Sequence, residues 1–137
     1  MVEGNLVENV YRGVEFSGLL HYQEGPPPYN VILRNNVFRN VNRGIKSTFM
    51  ALNHPPAVTT PMGLLLIESN RVERAGERSL VLANAEDSIV RDNVFVASGG
   101  VDVNVCRGIV FSGNTSDGKP VDGSVVKSEH VREIRFE

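Results

Sequence analysis

The stretch Asn93-Val94-Phe95 is one copy of a short pattern, Asn-x-(Val or Phe), that recurs along the chain and fades at its last copy. The asparagines of the five copies are Asn5, Asn36, Asn70, Asn93 and Asn114. They are separated by 31, 34, 23 and 21 residues. A repeat of about 20 to 25 residues is typical of a solenoid, in which each repeat buries its apolar face only against its neighbours. The pattern therefore predicts a repeat fold.

Apolar and polar residues alternate on both sides of each asparagine. An apolar residue lies three positions before it, at Val2, Leu33, Ile67, Val90 and Phe111. Another lies two positions after it, at Val7, Phe38, Val72 and Phe95. A second alternation then begins at a small residue, at Gly13, Gly44, Ser79 and Gly100. Runs with a period of two indicate short strands with one buried face, so each repeat is predicted to contain three strands.

Three short strands per repeat predict an all-β fold, a right-handed, single-stranded parallel β-helix of about five to six coils with three short parallel sheets. Equivalent residues of successive coils then stack about 4.8 Å apart. We place the asparagines at a corner because asparagine tolerates left-handed backbone angles, and we expect their amides to pair from coil to coil as a structural ladder. For Asn114-Thr115-Ser116 this role is expected instead of glycosylation.

Composition excludes several classes of function. The chain has 137 residues, which suits a single domain, and its net charge of −2 predicts no general attraction to nucleic acid or to anionic membranes. No apolar run reaches the roughly 18 residues of a membrane span, and residues 1–20 lack the pattern of a signal peptide. The single cysteine, Cys106, fits no zinc-ligand spacing and is expected to be a small buried or turn residue. We therefore expect neither a metal site nor a cofactor.

The repeated (Val/Ile)-x-x-Asn-x-(Val/Phe), followed by Gly-(Val/Ile)-x-(Phe/Leu), resembles the coil of the right-handed parallel β-helix proteins that include pectate lyases and polygalacturonases. The resemblance covers about residues 2–136 and implies a carbohydrate-active protein, secreted or at the cell surface, with its substrate groove along the sheet of first strands. If the chain is an enzyme, the resemblance implies a glycoside hydrolase or a polysaccharide lyase. The catalytic motifs of these enzymes are missing from the sequence. Arg43-Gly44-Ile45-Lys46 is only partly similar to the Arg-Ile-Lys motif of polygalacturonases. Catalytic residues therefore stay unassigned.

Two inserts lengthen the first two repeats, at about residues 21–30 and 53–62. They hold six of the 7 prolines and two of the 3 histidines, so they are predicted to be stiff loops on the scaffold, where function is usually carried. The candidate substrate-binding residues come from these inserts and from the outward side of the first-strand sheet: Glu15, His21, Tyr22, Glu24, Tyr29, Lys46, His54 and Asp102. Glu15 and Asp102 lie three rungs, about 14 Å, apart, whereas glycoside hydrolysis needs two carboxyl groups about 5 to 9.5 Å apart.

Simpler interpretations of these residues stay open. Glu15 and Lys46 on successive rungs can form an exposed ion pair, and His21 and His54 can be loop-packing residues. The favoured function is polysaccharide or glycan binding, and the alternative is a structural or assembly solenoid without catalytic activity, such as a tail-spike or adhesin stalk. The chain starts within a predicted strand and shows no capping helix, so we expect a longer parent chain or a homo-oligomer to cover the ends of the coil.

Overall fold

The structure, a computed structural model, describes residues 1–18, 29–49 and 62–137. This part of the chain consists of short strands joined by turns, and it contains no helix that is long and apolar enough to cross a membrane. The strands are β1 (Val2–Glu3), β2 (Leu6–Glu8), β3 (Arg12–Gly18), β4 (Ile32–Arg34), β5 (Val37–Arg39), β6 (Arg43–Phe49), β7 (Met62–Gly63), β8 (Leu66–Glu68), β9 (Arg71–Glu73), β10 (Arg78–Ala83), β11 (Ala85–Arg91), β12 (Val94–Val96), β13 (Val101–Asn104), β14 (Arg107–Ser112), β15 (Thr115–Ser116), β16 (Lys119–Pro120), β17 (Val126–Glu129) and β18 (Arg132–Phe136).

These strands form three sheets, and each coil contributes one strand to each sheet. The first sheet has the order β17-β13-β10-β6-β3. The second has the order β1-β4-β8-β11-β14-β18, with β7 also paired to β11, and the third has the order β16-β15-β12-β9-β5-β2. All pairings are parallel except that of β15 with β16. The predicted fold class, an all-β parallel β-helix, is therefore confirmed.

The register between coils follows the predicted alignment. Val2 pairs with Leu33, Leu33 with Ile67, Ile67 with Val90 and Val90 with Phe111. Except for Val2 on the first rung, these side chains are 0 to 3% exposed and form one stack through the core. In the last coil, Ile134 and Phe136 pair in register with Ile109 and Phe111. Alternation thus identifies both the buried face and the rung to which a residue belongs.

The ladder asparagines stack along the corner between the second and third sheets. Asn93 is fully buried, and its Oδ1 accepts hydrogen bonds from the backbone N (2.9 Å) and Nδ2 (3.0 Å) of Asn70. Its own Nδ2 lies 2.9 Å from the Ile67 carbonyl oxygen and 2.9 Å from Asn114 Oδ1. The same arrangement recurs at the other rungs. Because Asn114 is 4% exposed and takes part in this ladder, its side chain is not available for glycosylation.

One expectation about this corner is wrong, because the ladder asparagines are not the left-handed residues. The residue before each of them has a positive φ, at Gly4, Asn35, Ser69, Asp92 and Gly113. The left-handed residue turns the chain, so the side chain that follows it enters the interior and meets its equivalents in the adjacent coils. The ladder position needs an amide that both donates and accepts, whereas the turn position needs only tolerance of positive φ.

Close contacts between coils explain some of the small residues that start the first strands. A Cβ atom on Gly44 would lie 2.5 Å from the Ser79 carbonyl oxygen and 2.7 Å from Cγ1 of Val72. A Cβ atom on Gly13 would similarly meet the ring of Phe38. Gly100 has no such neighbour within 4 Å. The small residue is thus a steric requirement only where the next coil packs directly against it.

Two segments differ from their predicted roles. Met62, which the sequence places at the end of the second insert, is a fully buried core residue in β7. The polar residues 127–129, for which the repeat pattern predicts no strand, lie in β17, and β17 pairs in parallel with β13. Its side chains are exposed, and only the first residue of β17, Val126, is buried. The apolar alternation that marks the other rungs is therefore absent there.

Ion pairs cover the outer face of the third sheet and make stability depend on pH. Arg71 and Arg39 donate hydrogen bonds to Glu73 and lower the pKa of this carboxyl group from its usual 4.5 to about 2. In the unfolded chain the group would titrate near 4.5. The stability that these pairs contribute is thus present above pH 4.5 and is lost as the pH falls towards about 2.

We therefore expect the urea concentration at the midpoint of unfolding to decrease as the pH is lowered from about 5 to about 2. In a Glu73→Gln variant this decrease should be smaller, because the glutamine side chain does not titrate. The measurement is urea unfolding followed by circular dichroism at several pH values. Parallel pH profiles for the two proteins would contradict this assignment of the pKa shift.

Candidate functional site

Two of the predicted site residues, Glu15 and Asp102, lie on the outer face of the first sheet, and the backbone of Lys46 lies in the same column. Glu15 pairs in register with Lys46, Lys46 with Val81, and Val81 with Asp102. Glu15 and Asp102 are thus three rungs apart, which at about 4.8 Å per rung is about 14 Å. The side chain of Lys46 lies outside the described part of the structure.

The insert residues are placed only in part. His21, Tyr22, Glu24 and His54 lie outside the described residues. Tyr29 forms a parallel bridge with Gly63 at the edge of the second sheet and is 59% exposed. Its ring covers Gly63, where a Cβ atom would lie 2.4 Å from the ring. The backbone of Tyr29 therefore belongs to the second sheet and not to the first-sheet face that carries Glu15 and Asp102.

A column of arginines at the start of the first-sheet strands was missed in the sequence. Arg12, Arg43 and Arg78 pair in register on three successive rungs. Each is adjacent to the small residue that starts the strand, in Arg12-Gly13, Arg43-Gly44 and Arg78-Ser79. The signal in the sequence is the arginine that immediately precedes the small residue in each of these three repeats. Its members lie about 4.8 Å apart along the sheet.

Each arginine of this column is bound to a carboxylate. Arg78 Nε lies 2.6 Å from Asp102 Oδ2, and Arg43 Nε lies 2.5 Å from Glu77 Oε2. Arg12 contacts Glu15. The side chains of these arginines and carboxylates are partly exposed. The ion pairs hold them in defined positions along the sheet.

An aromatic ring lies at one end of the column. Tyr11 is 57% exposed, and the guanidinium carbons of Arg12 and Arg43 lie 5.5 Å and 5.8 Å from its ring centroid. Both distances are within the range of a cation–π contact. The arginine column is therefore continuous with an exposed aromatic side chain.

An open depression of about 440 Å³ lies beside the arginine column. Its lining residues are Arg43, Gly76, Glu77, Arg78, Val81 and Asp102. A smaller depression of about 80 Å³ adjoins it on the next rungs, with Asp102, Asn104 and Lys127 in its lining. The buried Oδ1 atom of Asn104 has no hydrogen-bond partner in this structure. Asp102 lines both depressions, so they are adjacent on the first sheet, and together they are called the polar groove below.

The charges of this groove favour binding over proton transfer. Hydrogen bonds from Arg43 and then Asn42 lower the pKa of Glu77, and the hydrogen bond to Glu77 raises the pKa of Arg43. A general acid for glycoside hydrolysis needs a raised carboxyl pKa, and an arginine that acts as a base needs a lowered one. Both shifts are in the opposite direction. Glu77 and Arg43 are thus suited to hydrogen bonding as permanent charges.

Two further kinds of chemistry find no support in the described residues. Within them, no group of three or more histidine, cysteine, aspartate or glutamate side chains is placed to hold a metal ion. The Cys106 thiol is 3% exposed, and burial raises its pKa. A buried thiol of this kind is a poor nucleophile, so Cys106 is a core residue.

Comparisons of the chain with protein-family models, with curated proteins and with solved structures find no match. Proposals about its activity therefore depend on the geometry of the described residues.

Proposed function

We propose that the polar groove on the first sheet binds a polysaccharide or glycan chain. The observation that carries this proposal is the alignment of Arg43, Arg78, Glu77 and Asp102 around one open depression on a continuous parallel sheet. Because ion pairs already hold these groups in place, little conformational entropy is lost when they bind a ligand.

A sugar polymer suits this groove better than a compact ligand. Its hydroxyl groups recur along a line and need both donors and acceptors, and the groove offers guanidinium donors next to carboxylate acceptors. The guanidinium groups recur on three successive rungs, at the rung spacing of about 4.8 Å. Tyr11 adds an exposed ring at one end, against which the apolar face of a sugar ring can pack. The depression is open to solvent, so a long ligand can reach it from the surface.

The resemblance of the coil to pectate lyases and polygalacturonases supports the same face, because it implies a substrate groove on the first sheet. The three arginines are balanced by Glu15, Glu77 and Asp102. Neutral and acidic polysaccharides are therefore both reasonable ligands. Activity as a glycoside hydrolase or polysaccharide lyase would require groups other than Glu77 and Arg43 to transfer the proton.

The proposal is tested by screening neutral and acidic polysaccharides for a thermal shift of the wild-type chain and then measuring binding by calorimetry. We expect Arg78→Ala and Asp102→Ala each to weaken binding at least about tenfold, the loss that corresponds to one charge-assisted hydrogen bond. Arg107→Ala is the matched control, because Arg107 forms a similar ion pair with Glu86, at 2.7 Å, on the second sheet.

The control should bind as the wild type does. If no polysaccharide binds, or if Arg107→Ala reduces binding as much as Arg78→Ala, the proposed groove is wrong. Assays for newly formed reducing ends and for unsaturated products on any polysaccharide that binds would show whether binding is accompanied by cleavage.

A further inference from the structure

The outer face of the second sheet carries an apolar stripe. Ile32, Leu66, Ile89 and Val110 pair in register on four successive rungs. Their chain neighbours Leu33, Ile67, Val90 and Phe111 are 0 to 3% exposed and face the core, so the stripe faces outward. Ile89 is 41% exposed. Four aliphatic side chains in one line on an outer face form a surface that favours contact with another protein.

A column of charges of alternating sign runs beside this stripe. Glu3, Arg34, Glu68 and Arg91 occupy successive rungs in register. Within the chain, Arg34 binds Glu3 at 2.8 Å, and Arg91 binds Glu68 at 2.6 Å. The column therefore has no net charge, although it is strongly patterned along the solenoid.

We infer that this face binds a second copy of the chain. The two solenoids run antiparallel, and the two-fold axis that relates them is parallel to the strands and passes between β8 and β11. In this arrangement Leu66 packs on Ile89 of the second copy, and Ile32 packs on Val110 of the second copy. Glu68 faces Arg91 of the second copy, and the symmetry repeats that contact. The two sheets pack face to face with their strands aligned, as sheets in sandwiches do.

The stripe and the charges together select this arrangement. For antiparallel solenoids, only an axis between β8 and β11 places all four stripe residues against stripe residues, because Ile32 and Val110 are then equally far from the axis. An axis that passes through β8 or β11 would place Glu68 opposite Glu68 or Arg91 opposite Arg91, so like charges would meet. If the solenoids were parallel, each rung would face itself, and Arg135, which pairs with Val110, would face Arg135 of the second copy. The proposed register therefore joins the complete apolar stripe to opposite charges, and this self-complementarity favours a second copy over an unrelated partner.

The size of the face predicts weak association. Four rungs at about 4.8 Å and five residues at about 3.3 Å span about 300 Å² in projection. A standard stable interface buries about 800 Å² per partner. We therefore expect a dissociation constant between about 0.01 and 1 mM, as in transient complexes.

The test is sedimentation equilibrium of the wild-type chain over a concentration series that reaches about 1 mM. We expect a reversible monomer–dimer equilibrium that Ile89→Lys abolishes. Leu6→Lys is the matched control, because Leu6 is also an exposed apolar strand residue (61%) but lies on the third sheet. Circular dichroism on each variant verifies that the fold is intact.

Charge exchange tests the proposed register. Glu68→Arg alone should weaken dimerisation, because it places two arginines opposite each other. The double exchange Glu68→Arg with Arg91→Glu restores both the ion pair within the chain and the pair across the interface, so it should restore dimerisation. A chain that stays monomeric throughout, dimerisation that survives Ile89→Lys, or a double exchange that behaves like the single one would each overturn the inference.

Discussion

Replacement of Asn93 by alanine is expected to lower the free energy of unfolding by about 3 to 5 kcal/mol. Asn93 lies in the middle of the ladder and is fully buried. Without its Oδ1, the backbone N–H of Asn70 loses its acceptor in the interior. Without its Nδ2, the carbonyl of Ile67 loses a side-chain donor. A buried polar group without a partner costs about 1 to 3 kcal/mol, and the other ladder bonds of Asn93 add about 1 kcal/mol each.

The same substitution at the end of the ladder provides the control. Asn5 is exposed, and among the described residues none donates a hydrogen bond to its Oδ1. We expect Asn5→Ala to cost only about 0.5 to 1.5 kcal/mol. Urea unfolding followed by far-ultraviolet circular dichroism measures both values. Equal losses for Asn93→Ala and Asn5→Ala would mean that burial of the ladder does not determine its energetic contribution.

Phe111→Ala is expected to have an effect of similar size, about 3 to 5 kcal/mol, for an apolar reason. Phe111 is 1% exposed, pairs in register with Val90 on one side and with Phe136 on the other, and stacks on the Phe136 ring at 5.5 Å. Its loss removes buried apolar area and leaves a cavity between two rungs. The backbone pairing of β14 with β11 and β18 limits how far the coils can collapse into that cavity.

Phe136→Ala separates burial from ring stacking. It removes the other ring of the same pair, but Phe136 lies on the last rung and is only partly buried. We expect it to cost about 1 to 2 kcal/mol, the sum of the lost stacking and a smaller loss of burial. The urea midpoints of both variants and of the wild-type chain provide the comparison. If Phe136→Ala were as costly as Phe111→Ala, stacking and not burial would be the main contribution of this pair.

Much of the architecture could be predicted because the interior of a solenoid imposes strict rules on sequence. Every second residue of a strand must be apolar, so the alternation alone places Leu33, Ile67 and Val90 in one column, and their pairing in register confirms it. The strand β17 was missed because its residues after Val126 are exposed and carry no such alternation. The left-handed position was misassigned because the ladder and the turn occupy adjacent residues, and asparagine is compatible with both.

The candidate site was predicted only in part. Asp102 was included for its place on the outer face, but its partner Arg78 and the groove beside them were not. Exposed charged residues obey no burial period, so the apolar alternation does not show which of them form ion pairs. The column of Arg12, Arg43 and Arg78 appears only once coils separated by inserts of different length are placed in register.

The fold class, the core positions and the order of the rungs follow from the sequence, because burial of apolar side chains in stacked coils requires a periodic pattern that can be read along one chain. The charged residues that meet across rungs, the residue that turns each corner and the continuous apolar stripe outside the second sheet are visible only in the folded chain. These features depend on contacts between residues about 20 to 35 positions apart, and local periodicity does not encode such contacts.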